Sequence, residues 1–414
     1  MHPILRGFRH RNFRLFFVGQ SLTMIGTWMQ HIAISWLMYR LTGSAFMLGM
    51  TGFALQIPIL LVSPVAGVWV DRYDRRALLL LTQALALAQA LLLAVLTFAG
   101  LIQVWHLLAV SLFLGTVNAI ANPSRGTFLL DMVERKENLP NAIALNSLIM
   151  NSARFIGPSI AGAVLAFAGE AWCFLLTALS YLALIVALAM MQLKPAVRQD
   201  KHEHWLEDLK QGFRYAFGFP PSRRLLLLVV AISLTTAPYQ HMMPIFAGEV
   251  FGGDSRTLGI LISCAGLGAF AGTAYLAGRT SLRGLSRVII VASFCASIGL
   301  MLFSQSRLLW LSVFFMLPVG FGLIVTAAST NTILQSIADE GMRGRVVSIY
   351  STCFLGTPPI GNFIAGSVAS HIGAPNTLLL FGALGALAAL VFALRIHSWR
   401  EAIRPVYRRL GLLN

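Results

Sequence analysis

Long apolar stretches recur along the chain, each about 20 residues or more, the length that carries a helix across roughly 30 Å of hydrocarbon. Twelve stand out, over residues 13–39, 46–70, 77–99, 104–133, 140–168, 171–192, 225–250, 256–278, 286–304, 308–337, 342–371 and 375–395. Several are joined by links as short as "FAGEAW", so consecutive helices must double back. The longest polar interruption, residues 193–224, contains Trp205, Leu209, Phe213 and Phe217 at every fourth position with charges between them. That spacing predicts an amphipathic helix lying on the membrane surface. The pattern therefore predicts an all-α integral membrane protein with twelve transmembrane helices. Residues 1–192 would form an N-terminal six-helix bundle, 193–224 a linker, 225–395 a C-terminal six-helix bundle and 396–414 a basic tail.

Composition agrees with this reading. Hydrophobic residues make up 57% of the chain and charged residues 11%, against roughly a quarter charged in soluble domains. The net charge of +16 would suggest nucleic acid in a soluble protein, but its distribution points elsewhere. With both termini in the cytoplasm, 26 of the 31 Lys and Arg fall on the cytoplasmic side, and only Arg40, Arg256 and Arg307 fall opposite. This is the positive-inside asymmetry of a multi-pass protein, and it calls for no polyanionic partner. A bacterial cytoplasmic membrane is the expected location, with no cleavable signal, because the first stretch is too long and lacks a small-residue exit. Cys173, Cys264, Cys295 and Cys353 all lie within helices and read as small core residues. His202 and His204 lack further metal ligands nearby, so no metal and no cofactor is expected.

The two halves repeat. An offset of 210 residues relates His31 to His241 and Gly49 to Gly259, and an offset of 204 relates Gly157 to Gly361 and Gly162 to Gly366. Six spans return the chain to the side it started from, so the two repeats run in parallel. The segment "GVWVDRYDRR" (67–76) resembles the loop signature of the major facilitator superfamily, with Asp74 where many members have glycine. "WMQHIAISWLMYRLTGSAFMLG", "LPNAIALNSLIMNSARFIGPSIAG" and "MRGRVVSIYSTCFLGTPPIG" resemble, more narrowly, the bacterial export branch that includes the enterobactin exporter and macrolide efflux proteins. Ala153 and Ala161 stand where glycines are common in that branch's fifth helix, and the fourth lacks an arginine near its outer end. The resemblance implies a monomeric two-bundle transporter that exports small molecules by alternating access, often driven by protons.

Polar side chains within the spans mark the candidate site, because they are expensive in hydrocarbon and face a cavity or a partner helix. Asn118, Asn122 and Arg125 share one face of the fourth helix, and Ser147, Asn151, Arg154 and Pro158 share one face of the fifth. The asparagines either line a cavity or hold helices together. Gln30-His31 and Gln240-His241 occupy equivalent places in helices 1 and 7, which by the resemblance face each other across a central cavity. No Asp or Glu lies deep in a span, so His31 and His241 are the deep candidates for proton coupling, with Glu249 and Asp131 nearer the two ends. Gly157, Pro158, Gly162, Gly361 and Gly366 read as close-packing positions. The loop signature implies a cytoplasmic gate in which Asp71 faces a helix N-terminus and Arg72, Arg75 or Arg76 pairs with Asp131.

No His-Glu-x-x-His motif or intramembrane carboxylate pair is present, which argues against an embedded enzyme. The expected function is a secondary active exporter of small amphipathic molecules, siderophore-like or drug-like. The uncompensated Arg125 and Arg154 favour anions. A lipid or lysophospholipid translocator and a solute importer of the same fold are the alternatives.

Overall fold

The computed structural model describes residues 11–132, 139–192, 205–279 and 281–409, and among them every regular element is a helix. The first six are α1 (Arg11–Thr42), α2 (Ala45–Arg72), α3 (Arg75–Phe98), α4 (Val104–Met132), α5 (Leu139–Ala168) and α6 (Glu170–Ala189). The amphipathic helix expected between the halves is α7 (Trp205–Gly218), packed against α13 and α8. Then follow α8 (Pro220–Thr236), α9 (Tyr239–Ile245), α10 (Ser255–Ala277), α11 (Leu285–Gln305), α12 (Leu309–Ile337), α13 (Arg343–Gly356), α14 (Pro358–Ile372), α15 (Ala374–Leu394) and α16 (Ile396–Arg409). His202 and His204 lie outside the described residues.

Among the described residues, ten segments are long and apolar enough to cross a membrane. The two remaining expected stretches correspond to α1 and to α13–α14. α1 is long but carries Arg11, Arg14, Gln20, Gln30 and His31. The α13–α14 stretch is cut at Thr357 by Pro358 and Pro359, leaving pieces of 14 and 15 residues. The stretch at 225–250, predicted as one helix, is also broken. Pro238 separates α8 from α9, and Pro244 precedes a π-helical turn over Phe246–Val250. Proline lacks the N–H that continues the ladder, so each break follows from its sequence.

Short reversals set the topology: Gly43 (φ 57°) and Ser44 turn α1 into α2, with Ser44 accepting from the Met47 N–H. Asp74 accepts from the Ala77 N–H at 2.7 Å and so caps α3. A turn that many relatives of the signature make with glycine is here closed by an N-cap carboxylate. With this up-and-down path, α1, α3 and α5 start on the face where α2, α4 and α6 end, here called the terminal face; the other is the distal face.

The two most extensive crossings between the first six helices and the later ones are α2 with α14 and α5 with α10; α2 also meets α9 and α13, and α1 meets α9. Backbones touch at both of the extensive crossings. A Cβ on Gly49 would lie 2.7 Å from the Gly366 Cα, and one on Gly162 would lie 3.0 Å from the Gly259 Cα. The internal repeat maps the first pair onto the second, so one crossing is the symmetry mate of the other. All four glycines sit in the distal parts of their helices. Ser159 and Ser263 extend the α5–α10 crossing with a hydroxyl pair at 2.7 Å. In a bilayer, apolar surfaces gain little by leaving lipid for one another, so close van der Waals approach at small residues carries helix association. The distal half is therefore shut by glycine contacts. Toward the terminal face, a cleft of about 120 Å³ separates α2 from α13, with Leu60 against Gly356 at its edge.

Replacing Gly49 or Gly259 with leucine should force this seam apart. Spin labels placed on the distal ends of α2 and α14 should report a longer separation than in the parent chain, and transport should fall at least tenfold. Gly126→Ala, where nothing lies within 4 Å of the added methyl, should leave both readouts unchanged.

Candidate functional site

The polar residues singled out from the sequence separate into two clusters, and the backbone explains why. In α5, Pro158 cannot pair with the carbonyl four residues back, that of Arg154. The freed carbonyl faces α10, where a Cβ on Gly266 would lie 2.6 Å from it. Gly157 lets α5 close on α1 in the same way, 2.5 Å from the Trp28 Cβ by the same measure. The Arg154 guanidinium thereby rests over the Trp28 ring, 5.3 Å from its centroid. This cation–aromatic contact is worth ~2 kcal/mol when desolvated.

The later helices repeat the device. Pro238 leaves the Leu234 carbonyl without its ladder partner, and Gly361 of α14 packs directly against that oxygen. The approach sets Asn362 beside His241. A Cβ on Gly52 of α2 would meet the His241 ring at 2.5 Å and the Asn362 amide nitrogen at 2.8 Å, so the three elements touch at one point. Asn362 is 1% exposed, and neither of its amide atoms has a hydrogen-bond partner. His241 Nδ1 and His31 Nε2 are buried without partners as well. The His31 ring meets Trp28 edge-on at 5.7 Å, and the two histidines lie within electrostatic reach of each other. Contacts thus link Arg154, Trp28 and His31 from α5 to α1, and His241 and Asn362 from α9 to α14, on either side of Gly52 and the α1–α9 approach.

Other expected cavity residues are placed differently. Gln30, one residue from His31, points into the first six helices, because successive helical positions are about 100° apart. It is fully buried and exchanges hydrogen bonds with Gln89 of α3, at 2.7 and 3.1 Å, while Tyr181 of α6 donates to its Oε1 at 3.3 Å. Gln30 therefore joins α1, α3 and α6 and does not meet Gln240. Gln240 is half-buried and donates to the Tyr239 hydroxyl at 3.3 Å. Asn151 donates its amide nitrogen to the Ser147 carbonyl on its own helix at 2.8 Å. Asn118 is half-buried, Asn122 exposed, and Arg125 half-buried near Tyr181 with its Nε unpartnered.

The charged ends resolve as follows. Glu249 is exposed on the distal side. Arg72 is exposed, and Arg76 donates to the Ala189 carbonyl at the end of α6 at 3.1 Å. Arg75 stands in the first turn of α3. The side chains of Asp71 and Asp131, to which the gate was assigned, lie outside the described residues. A distal ion pair that the sequence did not suggest joins Arg40 to Glu170 at 3.2 Å. Glu170 is 5% exposed and stands in the first turn of α6, where the helix dipole favours its charge. Trp28, Asn362, Gly52 and Tyr181 were also not anticipated. Trp28 could have been found, since it lies three residues before His31 and three apart means the same helix face.

Comparison with known proteins now decides the family. Residues 4–406 match the model of the transmembrane secretion effector family, a branch of the major facilitator superfamily. The chain belongs to that family. The staphyloferrin A transporter of Staphylococcus aureus is 25% identical, covering 92% of this chain and 95% of its own. The multidrug efflux pump Tap of Mycolicibacterium fortuitum is 24% identical, covering 90% and 93%. The enterobactin exporter EntS of Shigella boydii is 25% identical, covering 91% of each chain. Among solved structures, a bacterial homolog of the human lysosomal transporter Spinster, inward-facing and occupied, superposes with a TM-score of 0.73 at 14% identity. It covers 95% of this chain and 98% of its own. The fold is that of a multi-pass membrane transporter.

The buried amide pair gives a stability test. Gln89→Leu should leave the Gln30 amide without its main partner and cost about 1 kcal/mol, read as a lower thermal midpoint of the protein in detergent. The Gln30→Leu/Gln89→Leu double variant, which removes both amides, should recover part of that loss.

Proposed function

We propose that this transporter exports small amphipathic anions across a bacterial cytoplasmic membrane, with both termini in the cytoplasm. The observation that carries the reading is the state of its interior cations. Arg125 and Arg154 stand well inside α4 and α5, and neither makes an ion pair with a described carboxylate. Arg154 is held over Trp28, and the amide nitrogen of the neighbouring Asn151 donates to its own helix. A guanidinium in a low-dielectric wall seeks an acceptor, and a carboxylate, phosphate or acidic phenol supplies one in bidentate geometry. An aromatic face beside it suits the apolar part of the same molecule. The siderophore transporters among the relatives support this chemistry, and the multidrug pump supports a broader, drug-like range.

In this reading residues 1–192 and 225–395 are two bodies, joined by 193–224, that rock about the bound molecule. The protein works as a monomer. The glycine seam of the distal side is the closed gate, and cargo enters from the terminal side. Proton influx drives the cycle through His31 and His241. A proton taken up on either ring would place a charge at the seam, next to Asn362, Tyr239, Trp28, Gly52, Arg154 and the other histidine, with no described carboxylate there to receive it. Uptake would therefore favour the arrangement in which the seam opens and the rings meet water.

Two measurements test these roles in proteoliposomes. Arg154→Gln should reduce transport of an anionic catecholate at least tenfold while changing a neutral macrolide less than twofold; equal losses, or preferred transport of lipophilic cations by the parent, would overturn the anion reading. The His31→Gln/His241→Gln double variant should lose most of the stimulation by an inward proton gradient. A gradient response identical to the parent would remove both histidines from coupling.

A further inference from the structure

Away from the seam, α8 and α15 lie side by side on the lipid-facing surface and leave a groove of about 370 Å³ between them near the terminal face. Its walls are apolar and open to the bilayer: Leu227 of α8 is 53% exposed, and Leu387 and Val391 of α15 are 55% and 47% exposed. Any lipid tail would fill such a groove, because in hydrocarbon one apolar surface is as good as another. Preference for one lipid must come from the rim, and the rim is cationic. Arg224 and Arg395 both line the mouth, no acidic residue lines the groove, and neither arginine pairs with a described carboxylate.

The rim is also built in advance of any ligand. Arg224 donates to the Ser398 hydroxyl at 2.8 Å, and that hydroxyl donates to the Arg395 carbonyl at 3.1 Å. Ser398 lies on α16, which is fixed to α8 by the Trp399 indole donating to the Pro221 carbonyl at 3.1 Å. Trp399 is 1% exposed and Ile403 2% exposed, so α16 is anchored by its apolar side. The one carboxylate of α16, Glu401, is taken by His397 at 3.2 Å. The three helices thus hold the Arg224 guanidinium at the mouth of an apolar channel, with Arg395 on the same rim. By contrast, the larger cavity beside Tyr215 is lined by Arg214 and Arg343 together with Asp339 and Glu340, and has no net sign to select a ligand.

We infer that the α8–α15 groove binds one anionic phospholipid from the leaflet on the terminal side, with an acyl chain along Leu227, Leu384, Leu387 and Val391 and the phosphate between Arg224 and Arg395. Guanidinium forks match phosphate oxygens, and the net negative headgroup distinguishes this lipid from a zwitterionic one, whose own cation competes for the phosphate. This site is separate from the transport path and does not depend on the anion-export reading.

Native mass spectrometry of the full-length protein, released from detergent containing equimolar phosphatidylglycerol and phosphatidylcholine of the same chains, tests the inference. The parent should retain phosphatidylglycerol over phosphatidylcholine by about tenfold. Arg224→Gln/Arg395→Gln should bring the ratio close to one. Leu387→Trp, which keeps both arginines and fills the groove, should reduce bound phosphatidylglycerol to a similar degree, and it decides the matter if the double arginine variant does not fold. Equal retention of the two lipids by the parent, an unchanged ratio in both variants, or full displacement by millimolar glycerol phosphate would overturn the site. So would a dimer in the parent that the Leu387→Trp variant dissolves, since the groove would then hold a second copy.

Discussion

Close approach of backbone to backbone at two glycine crossings is the interaction on which the rest of this molecule depends. Helices in hydrocarbon gain little from burying apolar side chains against one another, so their association rests on contact distance and on internal hydrogen bonds. Gly49 with Gly366 and Gly162 with Gly259 give the two halves that contact, and the repeat makes the two crossings equivalent. Both crossings are distal, and toward the terminal face α2 and α13 meet around a small cleft of about 120 Å³. A seam made of glycine holds through many weak contacts and contains no buried ion pair among the described residues.

The candidate site is a consequence of the same packing. Proline within a spanning helix frees a carbonyl, and such a group in lipid must be covered. Here the carbonyls of Arg154 and Leu234 are covered by Gly266 and Gly361 of helices from across the seam or beside it. Each close approach then delivers a polar neighbour: Arg154 to Trp28, and Asn362 to His241. Structure and chemistry are coupled at these points, since loosening the glycine contact would separate the polar groups it brings together.

Electrostatics divides the protein into regions with different tasks. Inside, the cations Arg125 and Arg154 lack described counter-charges. At the distal face, Arg40 and Glu170 satisfy each other where α1 meets α6. On the terminal side, Arg224 and Arg395 stand together at a single apolar groove. The same residue type thus lines the interior, pairs at the distal face and forms a rim, according to what lies within a few ångströms of it.

Much of this could be read from the sequence, because a bilayer imposes length and polarity on every span. The helical stretches follow from apolar run length and turn residues, apart from the proline breaks inside 225–250 and 342–371, the amphipathic helix α7 and the internal repeat follow from spacing, and the family follows from its motifs. The four seam glycines were visible as repeat partners, Gly49 with Gly259 and Gly162 with Gly366, but spacing along the chain cannot say which pairs touch. Only the tertiary structure crosses them, Gly49 to Gly366 and Gly162 to Gly259, because contact between halves depends on how whole helices lean. The same limit applies to Gln30 and His31. Adjacent in sequence and equally polar, they were read together as cavity residues, yet one residue of helical rotation sends Gln30 to Gln89 inside the first six helices and leaves His31 toward Trp28 and His241. Composition and period determine that a polar group is present in the membrane; the direction of its side chain and the partner it finds are set by the packing of helices far apart in the chain.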